Sequence, residues 1–156
     1  MAEFVNLKVI LATCNLNQWA LDFDNNLKRI ISSIEISKQK GAKYRVGPEL
    51  EICGYSCEDH FLELDTFIHS EQSLATILSG DATMNILCDI GCPILYNNVR
   101  YNCRVLCLNK KIVLIRPKMY LADDGNYREC RYFTSWKSVH GIQQFILPEC
   151  IKQITG

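Results

Sequence analysis

The sequence predicts an α/β fold in which a mixed β-sheet carries helices on one face. Apolar runs of strand length alternate with segments of helical periodicity in the first half of the chain, and three strand-like runs then follow one another. The last two runs flank Asn109-Lys110-Lys111, a hairpin signal that predicts an antiparallel pair within the sheet. The predicted order is β-α-β-α-β-β-β, followed by irregular structure.

A change of period predicts the first strand and the first helix. Residues 8–15 are mostly apolar and β-branched, which is typical of a buried strand. From residue 23 to residue 38 the apolar side chains return at helical spacing. Asp22 or Asp24 is a candidate N-terminal cap of this helix, and Gly41 stands where a helix-ending glycine is expected.

The second strand is predicted at residues 43–46 and ends before Pro48, because proline cannot donate to a strand ladder. Glu49 is therefore expected to project from the C-terminal end of this strand. Residues 50–68 combine turn-forming and aromatic residues and are predicted to form an irregular loop. A second helix with an apolar face is predicted at residues 70–79.

The three remaining strands are predicted at residues 86–96, 101–108 and 112–115. Gly91 and Pro93 predict a break in the first of these strands. Two helices are too few to cover both faces of the sheet, so we expect an uncovered apolar face. The chain is therefore expected to lack one layer of its fold.

Length and composition restrict the class of protein. With 156 residues, of which 48% are hydrophobic and 22% charged, the chain is expected to form one globular domain. The 17 basic and 17 acidic side chains cancel, so we expect neither nucleic acid nor a membrane as a partner. Residues 1–6 show no secretory signal pattern, and no apolar run reaches the roughly 20 residues that span a bilayer. We expect a soluble, cytoplasmic protein.

The cysteine content is high for an intracellular chain. The nine cysteines are odd in number, which leaves at least one of them unpaired. Three pairs have C-x3-C spacing: Cys53 and Cys57, Cys88 and Cys92, and Cys103 and Cys107. Structural zinc sites more often use C-x2-C pairs, and several of these cysteines lie in apolar, strand-like runs. We therefore expect buried free thiols and no metal.

Glu49 and Lys118 are the candidate catalytic residues, because each lies where a predicted strand gives way to a loop. A carboxylate beside an ammonium group can accept a proton, and the ammonium can stabilise a developing negative charge. A Glu–Lys pair of this kind is more often a structural ion pair. Residue type alone leaves both interpretations open.

Several segments resemble the nitrilase or carbon-nitrogen hydrolase superfamily. Residues 48–50 (Pro-Glu-Leu) are similar to its glutamate motif, and residues 109–118, which end in Arg-Pro-Lys, are similar to its lysine motif. The resemblance is more detailed for one family, the amino-terminal glutaminase domains of eukaryotic glutamine-dependent NAD synthetases. The segments that carry it are residues 12–23, 47–55, 100–104 and 125–129.

This resemblance implies an α-β-β-α sandwich and a Glu-Lys-Cys triad. In such a triad the glutamate takes the thiol proton, the thiolate attacks the carboxamide of glutamine, and the lysine stabilises the oxyanion. The resemblance assigns the first role to Glu49 and the second to Lys118. Tyr55 and Tyr127 match tyrosines of the glutamine pocket, and Glu129 matches a nearby carboxylate.

The sequence departs from this pattern at the nucleophile. The family's cysteine lies downstream of the tyrosine segment and is commonly followed by acidic residues. Cys57, Cys130 and Cys150 differ from it in position or in neighbours, and the three histidines match no motif. We therefore expect no nucleophile in the chain, which resembles about half of a glutaminase domain over residues 1–156.

The resemblance also implies cofactors and partners. The longer enzyme of which this chain would be a part, here called the parent enzyme, would pass ammonia to a synthetase domain. That domain would use ATP and magnesium to amidate nicotinic acid adenine dinucleotide. That domain is expected to be absent, since the chain carries no phosphate-binding motif of an ATP site, and we expect no cofactor here. The expected partners are glutamine, the remainder of the parent enzyme and, at full length, further copies of it.

Two alternative functions stay open at this point. The chain alone is expected to release no ammonia, and one alternative is a non-catalytic truncated isoform or interaction fragment. A different carbon-nitrogen hydrolase, such as an ω-amidase, is the other alternative.

Overall fold

The fold was analysed in a computed structural model, which describes residues 8–137 and 141–155. Its strands are β1 (Leu11–Thr13), β2 (Tyr44–Val46), β3 (Leu87–Tyr96), β4 (Val99–Leu108) and β5 (Lys111–Pro117). Its α-helices are α1 (Phe23–Gln39), α2 (Leu64–Ser79), α3 (Glu129–Tyr132) and α4 (Glu149–Thr155), and a 3-10 helix spans Glu58–Leu62. The predicted succession of five strands and two long helices is confirmed.

The strands form one mixed sheet in the order β1-β2-β3-β4-β5. Strands β1, β2 and β3 are parallel neighbours, whereas β3, β4 and β5 form an antiparallel meander. Strands β2, β3 and β5 therefore run in the same direction and end at the same edge of the sheet. The predicted mixed sheet is confirmed.

One face of the sheet packs against the helices and forms the main hydrophobic core. Alternate residues of β3, including Cys88 and Cys92, point into this core opposite Cys107 and Cys103 of β4. The fully or almost fully buried helix side chains that meet them are Ile30, Ile34, Leu74, Ile77, Leu78 and Ile151. The strand cysteines thus serve as small buried side chains, as predicted.

The opposite face of the sheet has a polar centre. Arg104 of β4 donates from Nε to Asp89 Oδ1 at 2.6 Å and from its terminal nitrogens to three main-chain carbonyls within 3.0 Å. The hydroxyl of Tyr44 donates to Asp89 Oδ2 at 2.6 Å. The expectation of an apolar uncovered face is therefore wrong at its centre, where the alternate residues that point to this side include Asp89, Asn102 and Arg104. Towards β5 the same face does expose an apolar side chain, that of Leu114.

Strand β1 is shorter and more exposed than predicted. It covers only three of the eight residues in the predicted segment 8–15, and Leu11 is 66% exposed. The reason is its position, because β1 is the outermost strand and pairs with β2 on one side. The prediction of a buried strand at this place is wrong.

Helix α1 agrees with its prediction except at its cap. It begins at Phe23 after Asp22, but the Asp22 carboxylate accepts from the side chain of Asn25 at 2.8 Å instead of capping the main chain. Gly41 follows the helix with a φ of +76°, a left-handed conformation that glycine adopts without strain. The predicted helix end is therefore confirmed.

Helix α2 begins six residues earlier than the predicted start at residue 70. Residues 64–69 contain neither glycine nor proline, and Phe67 is buried in a second hydrophobic cluster below the 3-10 helix. The hydroxyl of Thr66 donates to the carbonyl of His60 at 2.7 Å and joins the two helices. The prediction of an irregular loop up to residue 68 is wrong because this packing extends the helix.

Strand β3 runs unbroken through Gly91 and Pro93, so the predicted break is wrong. Pairing between β2 and β3 ends at Asp89, and from there β3 is paired with β4 alone, which a proline tolerates. Gly91 is required by the turn above it. A Cβ atom at this position would lie 2.4 Å from Leu50 N and 2.5 Å from Pro48 O.

Two-residue turns join the strands of the meander. The turn between β4 and β5 lies at Asn109 and Lys110, with φ values of +50° and +64°, as the hairpin signal predicts. The turn between β3 and β4, at Asn97 and Asn98, has the same left-handed conformation and was not predicted. Lys110 N donates to Thr83 Oγ1 at 2.9 Å, which holds the turn between β4 and β5 in place.

The chain after β5 contains two short helices where only irregular structure was predicted. Helix α3 carries Glu129, and helix α4 packs Ile151 against the main core. Both helices are too short to give a clear periodic signal in the sequence. The prediction for this region is therefore wrong in part.

Within residues 8–137 and 141–155, no helix combines the length and hydropathy needed to cross a membrane. In the same residues, no three His, Cys, Asp or Glu side chains come together in a way that would hold a metal ion. His60 and His69 are exposed, as expected of surface residues. His140 and the amino-terminal residues 1–6 lie outside the described residues.

An ion pair between Arg45 and Glu51 is buried beneath the turn that follows β2. Both side chains are 0% exposed and share two hydrogen bonds of 2.8 Å. Arg45 also donates to Ser33 of α1, and Glu51 accepts from Gly91 N at 3.3 Å. Desolvation lowers the pKa of Arg45, but the hydrogen bonds and charge of Glu51 outweigh it and hold this pKa above its usual value. The pair ties α1, β2 and β3 to the turn at residues 47–54.

Removal of one charge from this pair is expected to destabilise the fold strongly. Glu51→Gln leaves the Arg45 guanidinium buried without a counter-charge, which should lower the free energy of unfolding by about 3–5 kcal/mol. Asp59→Asn is the matched control, because the Asp59–Arg131 pair is 64% and 57% exposed and should contribute little to stability. Urea denaturation of the three proteins measures both values, and equal losses would contradict the importance of the buried pair.

Candidate active site

Glu49 and Lys118 meet at the edge of the sheet where β2 and β5 end. Glu49 lies in the turn after β2, and Lys118 directly follows β5. Lys118 Nζ lies 2.6 Å from Glu49 Oε1, and the two side chains are 28% and 36% exposed. The two predicted catalytic residues therefore form one charged pair across 69 positions of sequence.

Lys118 lies between two carboxylates. Its Nζ contacts the carboxylate of Glu129 at 2.9 Å in addition to Glu49. Desolvation lowers the pKa of Lys118, but the hydrogen bonds to Glu49 and Glu129 outweigh it and hold the pKa above its usual value. The main chain of Lys118 is also fixed, by Asn102 O at 2.8 Å and Trp136 N at 3.0 Å. The site therefore presents a protonated ammonium group in a defined position.

Glu129 is almost fully buried and uses both of its oxygens. Tyr55 OH donates to Oε1 at 2.6 Å, and Ala122 N donates to Oε2 at 2.8 Å. Desolvation raises the pKa of Glu129, but the donors Tyr55, Lys118 and Ala122 outweigh it and bring the pKa below its usual value. Burial and the Glu129 charge together raise the pKa of Tyr55 well above its usual value. Glu129 therefore acts in this geometry as an ionised anchor for Lys118 and Tyr55.

Tyr127 lies at the outer side of the cluster. Tyr127 is 53% exposed, and its ring contacts the Tyr55 ring edge-on at a centroid distance of 6.0 Å. The structure thus brings together all the predicted site residues, four of them through hydrogen bonds and Tyr127 through this ring contact. Their catalytic and binding roles remain predictions.

Asn102 belongs to the same cluster and was not assigned a role from the sequence. It lies on β4, is 2% exposed and donates from Nδ2 to Glu49 Oε1. A polar residue between Tyr101 and Cys103 in a strand-like run was the available signal, since alternate residues of a strand face opposite sides. The sequence alone did not reveal that this side chain would meet Glu49.

The two oxygens of Glu49 have different surroundings. Oε1 accepts from both Lys118 and Asn102, whereas none of the described residues donates to Oε2. A carboxylate oxygen without a donor is available to accept a proton. The site therefore combines a proton acceptor with a positively charged group that can stabilise negative charge.

A cavity of about 380 Å³ opens beside the charged pair. The polar and charged residues in its lining are Glu49, Asn102, Arg104, Arg116 and Lys118. A second cavity of similar volume lies between β5 and residues 141–147, and its lining is mostly apolar. Glu49 and Lys118 of the candidate site thus line the first cavity.

No cysteine of the chain contacts Glu49 through a hydrogen bond among the described residues, which include all nine. Cys103 lines the cavity, but it is 1% exposed and burial raises its pKa. Cys130 follows Glu129 and is exposed, and a hydrogen bond with Asp123 raises its pKa. Cys103 and Cys130 are therefore not activated thiols. A hydrogen bond with Cys53 lowers the pKa of Cys57, but this thiol is buried and donates to the carbonyls of Cys53 and Gly54.

The sequence matches the carbon-nitrogen hydrolase family over residues 10–152. It is 63% identical over 149 residues to the glutamine-dependent NAD(+) synthetase of Dictyostelium discoideum. It is 57% identical over 148 residues to those of Bos taurus and Homo sapiens. Each alignment covers 95% of this chain and 21% of the relative, so the chain spans about a fifth of the length of these relatives.

Solved structures share the fold. The glutamine-dependent NAD(+) synthetase of Cytophaga hutchinsonii superposes with a TM-score of 0.76 at 32% identity and covers 82% of this chain and 22% of that protein. An amidase from Nesterenkonia sp. superposes with a TM-score of 0.70 at 16% identity and covers 86% of this chain and 51% of the amidase, a likeness of fold alone. The predicted nitrilase-type α/β architecture is confirmed, and the chain belongs to the carbon-nitrogen hydrolase family.

Proposed function

We propose that the chain is the glutamine-hydrolysing part of a glutamine-dependent NAD synthetase, in which Glu49 and Lys118 are two members of the catalytic triad. The observation that carries the proposal is the Glu49–Lys118 contact of 2.6 Å at the edge where β2 and β5 end. Its relatives of 57–63% identity, which are glutamine-dependent NAD(+) synthetases, support the choice of substrate and reaction. Glutamine is therefore the proposed substrate.

Glu49 is the proposed general base. Its Oε2 atom is free of donors from the described residues, and the side chain is 36% exposed, so a thiol can reach it from the cavity. The carboxylate would take the proton of a cysteine thiol, and the resulting thiolate would attack the carboxamide carbon of glutamine. Ammonia would then leave, and water would hydrolyse the thioester to release glutamate.

Lys118 is the proposed stabiliser of the oxyanion. The ammonium group is held by Glu49 and Glu129, so its charge needs no reorientation when the carbonyl oxygen becomes negative. It is 28% exposed and faces the same cavity as Glu49. We assign Tyr55 and Tyr127 to the wall of the glutamine pocket. Glu129 has its oxygens engaged by Lys118, Tyr55 and Ala122, which supports an anchoring role beside that wall.

The proposed nucleophile is a cysteine of the longer enzyme and lies outside this chain. The chain spans about a fifth of the length of its relatives, and Cys57, Cys103 and Cys130 have the unsuitable surroundings described above. ATP, magnesium and the amidation of nicotinic acid adenine dinucleotide would belong to the synthetase part of that enzyme. We also propose that the full-length enzyme is a cytoplasmic homo-oligomer.

Glutamine-dependent activity should require Glu49. Residues 10–152 of this chain can replace the matching segment of the Dictyostelium discoideum synthetase, to which it is 63% identical. In this chimera, Glu49→Gln should lower glutamate release from glutamine by about 100- to 10,000-fold, because the general base is lost. NAD synthesis from supplied ammonia should stay unchanged, which excludes misfolding.

Glu35→Gln is the matched control for this experiment, because Glu35 is an exposed residue of α1. It should leave both activities unchanged. A chimera with Glu49→Gln that still hydrolyses glutamine at the rate of the unsubstituted chimera would refute the assigned role.

The 156-residue chain by itself should release no ammonia from glutamine, because it supplies the base and the cation without the proposed nucleophile. A coupled ammonia assay on the purified chain measures this directly. Turnover that disappears with a single Cys→Ser substitution would show that one of the nine cysteines is the nucleophile after all.

Glu129→Gln should make the stability of the chain less dependent on pH in acid. The folded-state pKa of Glu129 lies below its usual value, so its stabilising effect is complete above the unfolded-state pKa and is lost as the pH falls through the lower, folded-state pKa. The wild type should therefore lose more stability than the variant as the pH is lowered from about 5 into the acid range. At neutral pH the substitution should cost about 1–3 kcal/mol, since it weakens a buried hydrogen-bonded cluster.

Urea denaturation at several pH values measures this difference, again with Glu35→Gln as the exposed control. Parallel pH dependences in the wild type and in Glu129→Gln would exclude an ionised anchor at this position.

A further inference from the structure

Asn102 touches both members of the proposed catalytic pair. Its side-chain Nδ2 donates to Glu49 Oε1, and its main-chain carbonyl accepts from Lys118 N at 2.8 Å. Asn102 is 2% exposed and lies on β4, an inner strand of the sheet, where it pairs with Pro93 of β3. One residue of β4 thus binds both the side chain of Glu49 and the main chain of Lys118.

The hydrogen bonds at Glu49 are unequal between its two oxygens. Lys118 Nζ and Asn102 Nδ2 both donate to Oε1, and the described residues donate nothing to Oε2. An ionised carboxylate is an acceptor only, so the amide must present its NH₂ group to it. Two donors already occupy the acceptor positions of Oε1, whereas those of Oε2 stay open to a proton donor from the cavity.

We propose that Asn102 is a positioning residue that fixes the Glu49 carboxylate and thereby makes Oε2 the atom that accepts the proton. Lys118 alone could not achieve this, because a single ammonium group can be approached by either oxygen as the carboxylate rotates. The second donor, fixed on β4, defines the plane of the carboxylate. The proton-transfer part of this inference rests on the proposed function, whereas the orientation of Glu49 does not.

A neutral amide suits this position for a physical reason. The site already contains a second carboxylate, that of Glu129, and Lys118 is the cation that both carboxylates contact. A further cation at position 102 would stabilise the charged form of Glu49 and weaken it as a base, whereas an aspartate would repel it. An asparagine orients the carboxylate without adding charge to the site.

The orientation of Glu49 can be tested in this chain without any catalytic activity. Three-bond couplings of the Glu49 side chain, measured by NMR on the labelled chain, report whether it occupies one rotamer. The unsubstituted chain should show one rotamer, and both Asn102→Ala and the isosteric Asn102→Asp should show averaging over several rotamers. Asn25→Ala is the matched control, because Asn25 is exposed on α1, far from the site in sequence, and should change nothing at Glu49.

A folded Asn102 variant that keeps a single Glu49 rotamer overturns the proposal. If neither Asn102 variant folds while the control does, Asn102 is a structural residue and the proposal is likewise overturned. Loss of packing affects Asn102→Ala more, and charge repulsion affects Asn102→Asp alone. Loss of the donor is the one change that the two variants share.

The kinetic consequence can be measured in the chimera with the Dictyostelium discoideum synthetase. Both Asn102 variants should lower kcat for glutamine by about 10- to 100-fold, the cost of a misplaced catalytic group, with KM changed less than about threefold. Unchanged kcat in a folded variant contradicts the proposal. If the unsubstituted chimera itself fails to hydrolyse glutamine, the proposed function is wrong, and the rotamer measurement still decides the orientation of Glu49.

Discussion

The buried ion pair between Arg45 and Glu51 is the constraint on which the position of the site depends. It lies on the helix side of β2 and fixes the turn that carries Glu49, while Gly91 allows that turn to lie directly on β3. A buried ion pair adds little net stability compared with apolar side chains of the same volume, but removal of either charge leaves the other buried without a counter-charge. The turn therefore has one arrangement, and Glu49 leaves it in one direction.

From this turn a continuous chain of hydrogen bonds crosses the edge of the sheet. Asn102 and Lys118 hold Glu49, Glu129 holds Lys118, and Tyr55 holds Glu129. The contributing segments are far apart in sequence, yet the parallel direction of β2, β3 and β5 brings their ends to one place. Alternating donors and acceptors mean that a change at one member alters the charge balance of its neighbours.

The sequence predicts the elements with strong periodic signals and fails where tertiary packing decides. The apolar stripe of α1 and the hairpin turn at Asn109 are read correctly because both are local patterns. The early start of α2 is missed because the burial of Phe67 is a tertiary effect. Glu49 and Lys118 are found through their position at predicted strand ends and through resemblance, whereas Asn102 looks in sequence like any polar residue of a strand.

The turn between β4 and β5 is fixed by a segment outside its own hairpin. A lysine at a φ of +64° is intrinsically unfavourable, and Lys110 is held there by Thr83 and by an ion pair with Asp81 at 2.9 Å. Asn109 N also donates to the carbonyl of Thr83 at 2.9 Å. The connection between α2 and β3 therefore anchors the start of β5, the strand whose far end places Lys118 beside Glu49.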